Sequence, residues 1–228
     1  MLAFSHSDYL AILLSLKVAT VATILSLPFG FAVAYLMTYR KFRGRVLLDV
    51  LVNLPLTLPP VVIGYLLLLL LGKNGWIGMW VLQPLGIHII FTWKAAVIAT
   101  AVVGFPLMVR SIRTGMEAID QRLIEASRTL GAGPLDTIVT VILPLSCRGL
   151  IAGSLLMFAR GLGEFGATII VAGNIPGVTQ TIPLAIYEYV SSPSGDAMAI
   201  ALCVVSVTIS VAVLVFHEWL GRRMVKVD

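Results

Sequence analysis

Two charged residues stand four positions apart inside an apolar run, Arg160 and Glu164 in the stretch FARGLGEFGATIIVAG. On one helix this spacing places both side chains on the same face, where opposite charges can pair. Ionisable groups at membrane depth are costly and face a cavity or a partner. The two residues therefore either form a self-neutralised pair that fixes helix packing or line a path or gate. Because Glu164 would repel an anion, Arg160 is not assigned as an anion ligand.

Motifs for other chemistry are missing from the chain. It contains no GxxxxGK[ST] phosphate loop, no HExxH zinc motif and no GxSxG nucleophile elbow. Glu164 is a single carboxylate, so it cannot supply both the general acid and the general base of a catalytic pair. The two cysteines, Cys147 and Cys203, lack the spacing of a metal site. We therefore predict no catalytic residue, no metal site and no cofactor bound by this chain, and ATP hydrolysis by this chain is not expected.

The composition is that of a membrane protein. Of the 228 residues, 59% are hydrophobic and 12% are charged, whereas a soluble domain has roughly 25% charged residues. The length fits one integral membrane domain covering residues 1–228. The net charge is +5, but the basic residues lie in short loops and not on one basic face. Nucleic acid is therefore not an expected partner.

Five segments are long and apolar enough to cross the hydrocarbon as helices, which requires about 20 residues each. They cover about residues 9–39, 46–71, 89–109, 145–171 and 197–220. The expected fold is an all-α polytopic membrane helix bundle of five transmembrane helices. Six is the alternative, because WIGMWVLQPLGIHIIF could form an interfacial or re-entrant piece. TIPLAIYEYV is too short to cross and predicts an outer amphipathic helix or loop.

The distribution of lysine and arginine orients these segments. Among the basic residues in loops and at span ends, only Lys73 and Lys94 fall on one side of the membrane. The other side carries Arg40, Lys41, Arg43, Arg45, Arg110, Arg113, Arg122, Arg128, Arg148, Arg222, Arg223 and Lys226. Because positive residues favour the cytoplasmic side, the N-terminus is predicted outside and the C-terminus in the cytoplasm. Trp76, Trp80 and Trp93 then lie near the outer interface, where indole rings favour the headgroup level.

The longest polar stretch, residues 110–148, predicts a cytoplasmic helical hairpin at about residues 116–144. Apolar residues recur at helical spacing in its first half, at Met116, Ile119, Leu123, Ala126, Ser127 and Leu130. Gly131–Gly133 ends that helix and Pro134 begins the next, whose apolar face is Leu135, Ile138, Val139 and Ile142. The hairpin is either a structural connection or a docking platform for a soluble partner, since two spans can be joined by a much shorter loop.

Prolines and glycines interrupt two of the predicted spans. Pro55, Pro59 and Pro60 must break or kink the second span. Freed backbone groups are tolerated only against protein or a water-filled path, so the second span lies near the path or carries a purely structural kink. Gly163 and Gly166 allow close helix approach in the fourth span.

The hairpin resembles the EAA loop of bacterial ABC importer permeases. The family pattern is Glu-Ala-Ala, three residues, Gly, nine residues, Ile, one residue and Leu-Pro. The matching residues here are Glu125, Ala126, Ser127, Gly131, Val141, Leu143 and Pro144. Two residues depart from the pattern: Ser127 replaces the second Ala, and Val141 replaces the Ile. Both side chains are close in volume to those they replace and lie on the same helix face. The resemblance implies a coupling helix that docks on an ATP-binding subunit, with Glu125 in contact, Gly131 and Ala132 at the turn, and Leu143-Pro144 at the return to the membrane.

The whole chain is similar to the molybdate branch of these permeases and, more distantly, to the sulfate branch. The resemblance is carried by NLPLTLPPVVIGYLLL (53–68) and by residues 163–189. It implies a homodimer with two ATP-binding cassette subunits, which hold ATP and Mg, and an extracytoplasmic molybdate-binding protein.

The implied activity is import of molybdate, and of tungstate, across the bacterial inner membrane by ATP-driven alternating access. Sulfate or thiosulfate is the alternative substrate. The candidate path or gate comprises Pro55, Pro59, Pro60, Arg160, Gly163, Glu164, Phe165, Gly166 and Thr168. A secondary anion transporter is disfavoured, because the sequence shows no internal repeat.

Overall fold

The computed structural model describes residues 4–193 and 195–225, and all regular structure in this part of the chain is helical. The ten α-helices are α1 (His6–Tyr39), α2 (Arg45–Thr57), α3 (Pro60–Leu71), α4 (Trp93–Glu117), α5 (Gln121–Thr129), α6 (Pro134–Leu145), α7 (Cys147–Leu162), α8 (Gly166–Val171), α9 (Ile182–Val190) and α10 (Asp196–Val225). A π-helical turn at Gly78–Leu82 precedes α4, and a second one lies within α6 at Ile138–Ile142.

Three of these helices are unbroken and apolar enough to cross a membrane: α1, α4 and the Asp196–Phe216 part of α10. Two bent pairs, α2 with α3 and α6 with α7, raise the number of candidate spans to five. The prediction of an all-α bundle is confirmed. Five spans are reached only when each bent pair is counted as one crossing.

The second predicted span is not one kinked helix but two helices bent by 116°. Leu58 is extended with ψ 144°, as expected for a residue before proline. Pro59 has no N–H to continue the ladder, and Pro60 occupies the first position of α3. The break predicted from the prolines is confirmed, although Pro55 lies inside α2.

The fourth predicted span, residues 145–171, is divided as well. Its beginning is bent by 66° between α6 and α7. A second interruption at residues 163–165 separates α7 from α8. The third span is longer than predicted, because α4 continues to Glu117 and the hairpin connection begins only at Ala118.

The short helix α9, predicted as an outer helix or loop, is docked on the first turns of α1. The Ser15 hydroxyl accepts a 2.8 Å hydrogen bond from the Ile182 backbone N–H, and Tyr189 donates through its hydroxyl to Asp8 at 2.9 Å. Burial, followed by the hydrogen bond to Asp8, raises the pKa of the Tyr189 hydroxyl. The phenol therefore stays protonated at neutral pH and remains a donor.

Helices α4 and α7 pack at backbone distance along their length. A Cβ atom on Gly115 would lie 2.9 Å from the Gly149 Cα, and a Cβ atom on Gly153 would lie 2.9 Å from the Met108 carbonyl oxygen. The Ser111 hydroxyl donates to the Gly149 carbonyl at 3.1 Å. Small residues allow this approach in lipid, where van der Waals packing drives association. The two helices that flank the hairpin are thus held together at its base.

Replacing Gly149 by alanine tests this contact. The added Cβ would lie 2.8 Å from the Ser111 carbonyl oxygen and 3.0 Å from the Gly115 Cα, and backbone cannot yield easily. We expect Gly149→Ala to lower the unfolding free energy by about 1–3 kcal/mol, measured by thermal unfolding in detergent. Gly44→Ala is the control, since a Cβ there meets only the Phe42 ring at 3.6 Å. Equal stability of the two variants would contradict the close packing.

Candidate coupling hairpin and translocation site

The hairpin formed by α5 and α6 has defined ends. Asp120 caps α5, because its carboxylate accepts the Arg122 backbone N–H at 2.9 Å. At the other end Gly131 has φ +91°, a left-handed conformation that glycine adopts without steric cost. The Ala132 N–H bonds to the Ser127 carbonyl and the Gly131 N–H to the Arg128 carbonyl. This pattern is a Schellman motif, and it confirms the turn predicted from the glycines.

One side-chain bridge joins the two helices of the hairpin. Ser127 Oγ lies 3.1 Å from Thr137 Oγ1, and Ser127 also donates to the Ile124 carbonyl at 2.9 Å. Since a hydroxyl has only one proton, Thr137 must be the donor in the bridge. Thr137 is buried. Ser127, the residue at which the chain departs from the Glu-Ala-Ala pattern, therefore sets the approach of α5 to α6.

The hairpin is anchored by three isoleucines, Ile119, Ile124 and Ile142, which join the main apolar core. The predicted apolar faces are correct only in part. Met116 belongs to α4, and five of the remaining predicted positions are exposed: Leu123, Ala126, Leu130, Leu135 and Val139. Leu130 is 89% exposed and Leu135 is 78% exposed. A hairpin with a buried base and an exposed apolar tip is suited to docking on another protein.

The remaining motif residues lie on the exposed part of the hairpin. Glu125 and Ala126 are exposed on α5, as are Leu143 and Pro144 near the end of α6. Arg122, Arg128 and Asp136 are also exposed and surround the apolar tip with both signs of charge. The residues predicted from the motif therefore lie on one structural unit.

The second candidate site is formed where the two interrupted spans meet. A Cβ atom on Gly166 would lie 3.0 Å from the Pro60 Cβ, and one on Gly64 would lie 2.7 Å from the Ala167 carbonyl oxygen. The first turns of α3 and α8 are therefore in backbone contact. Pro60 and Gly166, two of the candidate path residues, are in contact here, and Gly64, which the sequence did not single out, completes the contact.

Arg160 and Glu164 face each other at this interruption. The Arg160 Nη2 lies 2.9 Å from Glu164 Oε2, which makes an ion pair but no well-aligned hydrogen bond. Glu164 Oε1 accepts the Ala167 N–H at 2.8 Å and so caps the first turn of α8. The predicted pairing is confirmed, but the prediction that both residues share one helix is wrong. Glu164 lies beyond α7, in the connection that Gly163 begins.

The other predicted path residues are distributed around the interruption. Thr168 is buried within α8, and the Phe165 ring packs on Tyr187 of α9 with a centroid distance of 5.3 Å. Pro55 lies one turn before the break in α2, and it is not part of the contact between α3 and α8. Within residues 4–193 and 195–225, no cluster of three or more His, Cys, Asp or Glu side chains could hold a metal ion.

These features define a polytopic helical membrane protein with an exposed helical hairpin and interrupted spans. Residues 26–226 match the family described as "Binding-protein-dependent transport system inner membrane component". The molybdenum transport system permease protein ModB of Escherichia coli (strain K12) is 48% identical over 94% of both chains. The sulfate transport system permease protein CysT of Salmonella typhimurium is 36% identical over 92% of this chain and 77% of its own length.

A solved structure of the MetNI methionine ABC transporter has the same fold. It superposes with a TM-score of 0.69 at 18% identity and covers 96% of this chain and 99% of its own. The match over residues 26–226 and the 48% identity to ModB show that the chain belongs to the family of binding-protein-dependent transport system inner membrane components.

The hydroxyl bridge of the hairpin yields a double-mutant test. Ser127→Ala leaves the buried Thr137 hydroxyl without its acceptor, so we expect a loss of about 1–3 kcal/mol of stability. The double variant Ser127→Ala/Thr137→Val removes both groups and should lose less. Hydrogen exchange of the hairpin amides measures the difference, with Thr140→Val, at an exposed position, as control. Strict additivity of the two substitutions would exclude the bridge.

The buried carboxylate at the interruption makes a second prediction. The Glu164 side chain is only 1% exposed, whereas its partner Arg160 is 33% exposed. Removing the carboxylate therefore leaves no fully buried charge, and the main loss is the hydrogen bond from the Ala167 N–H to a charged acceptor, about 1.5–3 kcal/mol. We expect Glu164→Ala to destabilise the protein more than Glu164→Gln, since the amide oxygen can still accept the Ala167 N–H. Glu117→Gln is the control, because its ion pair with Arg113 is half-exposed. Equal unfolding temperatures for Glu164→Ala and Glu164→Gln would rule out the cap.

Proposed function

We propose that the chain is the permease subunit of an ABC importer that moves molybdate into the cell. The observation that carries the proposal is the helical hairpin with Leu130 and Leu135 exposed at its tip. It is a single membrane domain over residues 1–228, and it works as a homodimer. The N-terminus lies outside and the C-terminus in the cytoplasm, in agreement with the basic residues that surround the hairpin.

Each hairpin docks on one ATP-binding subunit, which holds ATP and Mg. Exposed apolar residues of the hairpin, Leu130 and Leu135, fill a groove on that subunit, and Glu125 contacts its polar rim. Gly131 and Ala132 keep the turn, and Ser127 keeps the spacing of the two helices. Ala126 lies against the groove, and Leu143 and Pro144 lead the chain back into the membrane.

In alternating access, the hairpin moves α4 and α7 as one body, because glycines hold them together at backbone distance. The pair α3 and α8 forms a second body through Gly64 and Ala167. The break at residues 163–165 is the hinge that joins the two bodies, and the break at Pro59 is a hinge between α2 and the second body. ATP binding draws the hairpins together and opens the path outward, and hydrolysis returns it inward.

The path passes the interruption where these bodies meet. Pro55, Pro59 and Pro60 shape one wall, and Gly163, Phe165, Gly166 and Thr168 shape the other. Glu164 neutralises Arg160 in the resting state, so the pair acts as a gate and not as a fixed anion site.

The choice of molybdate follows from the relative that is 48% identical and is named for molybdenum transport. Tungstate has the same tetrahedral geometry and charge, so it shares the path. Sulfate is the competing substrate, because the sulfate permease CysT is 36% identical. An extracytoplasmic molybdate-binding protein delivers the anion to the outer face. That protein accounts for most of the discrimination between molybdate and other tetrahedral dianions.

The test is ATP hydrolysis by the reconstituted complex of this chain and its ATP-binding subunit. The binding protein is added loaded with molybdate, tungstate or sulfate. We expect stimulation by the molybdate and tungstate forms and none by the sulfate form. Stimulation by sulfate alone would overturn the substrate, and failure to form any complex would overturn the permease assignment.

A charge reversal tests the docking role of Glu125. Glu125→Lys changes an exposed side chain, so the membrane domain should fold while the complex becomes uncoupled, with transport reduced at least roughly tenfold, as for the loss of a charge pair at an interface. Glu125→Asp keeps the charge and is the matched control. Transport and co-purification of the ATP-binding subunit are measured together. Normal transport by Glu125→Lys would remove Glu125 from the docking site.

A further inference from the structure

A cavity of about 560 Å³ opens at the end of the bundle opposite the hairpin. It lies between the end of α3, the π-helical turn Gly78–Leu82 and the segment before α4. Six aliphatic side chains line it: Leu68, Leu71, Leu82, Ile87, Ile89 and Ile90. Its volume is in the range of ligand sites, roughly 300–1,000 Å³. None of the hairpin or path residues lines this cavity.

Specific backbone contacts hold the walls of the cavity in place. The Gln83 side-chain amide donates to the Lys73 carbonyl at 2.7 Å, and the Ile87 N–H donates to the Leu82 carbonyl at 2.9 Å. Phe91, which also lines the cavity, has φ +58°, a left-handed conformation that is strained for an aromatic residue. Its N–H donates to the Val171 carbonyl at 2.9 Å. The wall is therefore tied to the end of α8.

Three polar side chains are among the residues that line the cavity. Lys73, Gln83 and His88 contribute to it and are all exposed. Lys73 forms no ion pair with any acidic side chain of the described residues. Trp76 and Trp80 are more than 70% exposed on the neighbouring turn, as is typical of indoles at the headgroup level. The cavity thus combines an aliphatic interior with a cationic rim at the membrane interface.

This chemistry selects an amphiphile. A small oxyanion inside the cavity would lose its hydration against the six aliphatic side chains, which offer no hydrogen bonds. An acyl chain replaces lipid contacts with equivalent ones, while a negative headgroup meets the ammonium of Lys73. We propose that the cavity binds one acyl chain of an anionic phospholipid, with its phosphate at Lys73. The site is separate from the path and from the hairpin.

Native mass spectrometry of the purified full-length protein tests the site. Phosphatidylglycerol and phosphatidylcholine with identical acyl chains are added in detergent, and the retained lipid is counted. We expect phosphatidylglycerol to be retained preferentially, and Lys73→Gln to reduce its retention roughly fivefold. Lys94→Gln is the matched control, because Lys94 is exposed at the same end of the bundle but does not line the cavity.

A second pair of variants tests the interior. Ile87→Trp fills the cavity from its rim and should abolish retention of both lipids. Ile77→Trp is the control, since Ile77 is as exposed as Ile87 but lies outside the cavity. Equal retention of the two lipids, or equal effects of Lys73→Gln and Lys94→Gln, would overturn the anionic headgroup. Unchanged retention in Ile87→Trp would overturn the cavity as the site.

Discussion

The close contact between α4 and α7 is the constraint on which the rest of the structure depends. Gly115, Gly149 and Gly153 bring the two backbones together where the hairpin leaves the membrane. No side chain could be added there without moving backbone. The hairpin is therefore not a flexible loop between two independent spans, because both of its ends emerge from one packed helix pair. A displacement of the hairpin is passed to that pair as a whole.

The helix breaks at Pro59 and between α7 and α8 are the places where the chain next to this packed pair can change direction. Helical hydrogen bonds are absent at Pro59 and between α7 and α8, so the chain can change direction there at lower cost than within a continuous helix. Glu164 stabilises one such break twice, by accepting the Ala167 N–H and by facing Arg160. The contact of Gly64 with Ala167 keeps α3 and α8 together. Close backbone contacts and breaks thus alternate in this part of the bundle.

The sequence predicts most of the features that local rules control. Hydrophobic length predicts the helices of the apolar runs. The end of α5 follows from a glycine that tolerates the left-handed conformation, and the start of α6 follows from a proline with a fixed φ. The 116° bend was not predictable in size, because proline specifies a break but not the direction of the next helix. Glu164 was placed on a helix that ends before it, since i and i+4 spacing cannot reveal a cap on the following helix. Gly64 and Thr137 were missed because their roles depend on partners distant in sequence.

The most direct test of the account is a pair of distances measured by pulsed electron spin resonance in the reconstituted complex. The second native cysteine is removed by Cys203→Ser, and only one protomer is labelled. One sample carries spin labels at Cys147 and Thr114→Cys, and the other carries them at Cys147 and Tyr65→Cys. All three labelled positions are exposed. The states compared are nucleotide-free and ATP-bound. The account predicts an unchanged distance between α4 and α7 and a shifted distance between α3 and α7. A shift between α4 and α7 as large as that of α3 would contradict it.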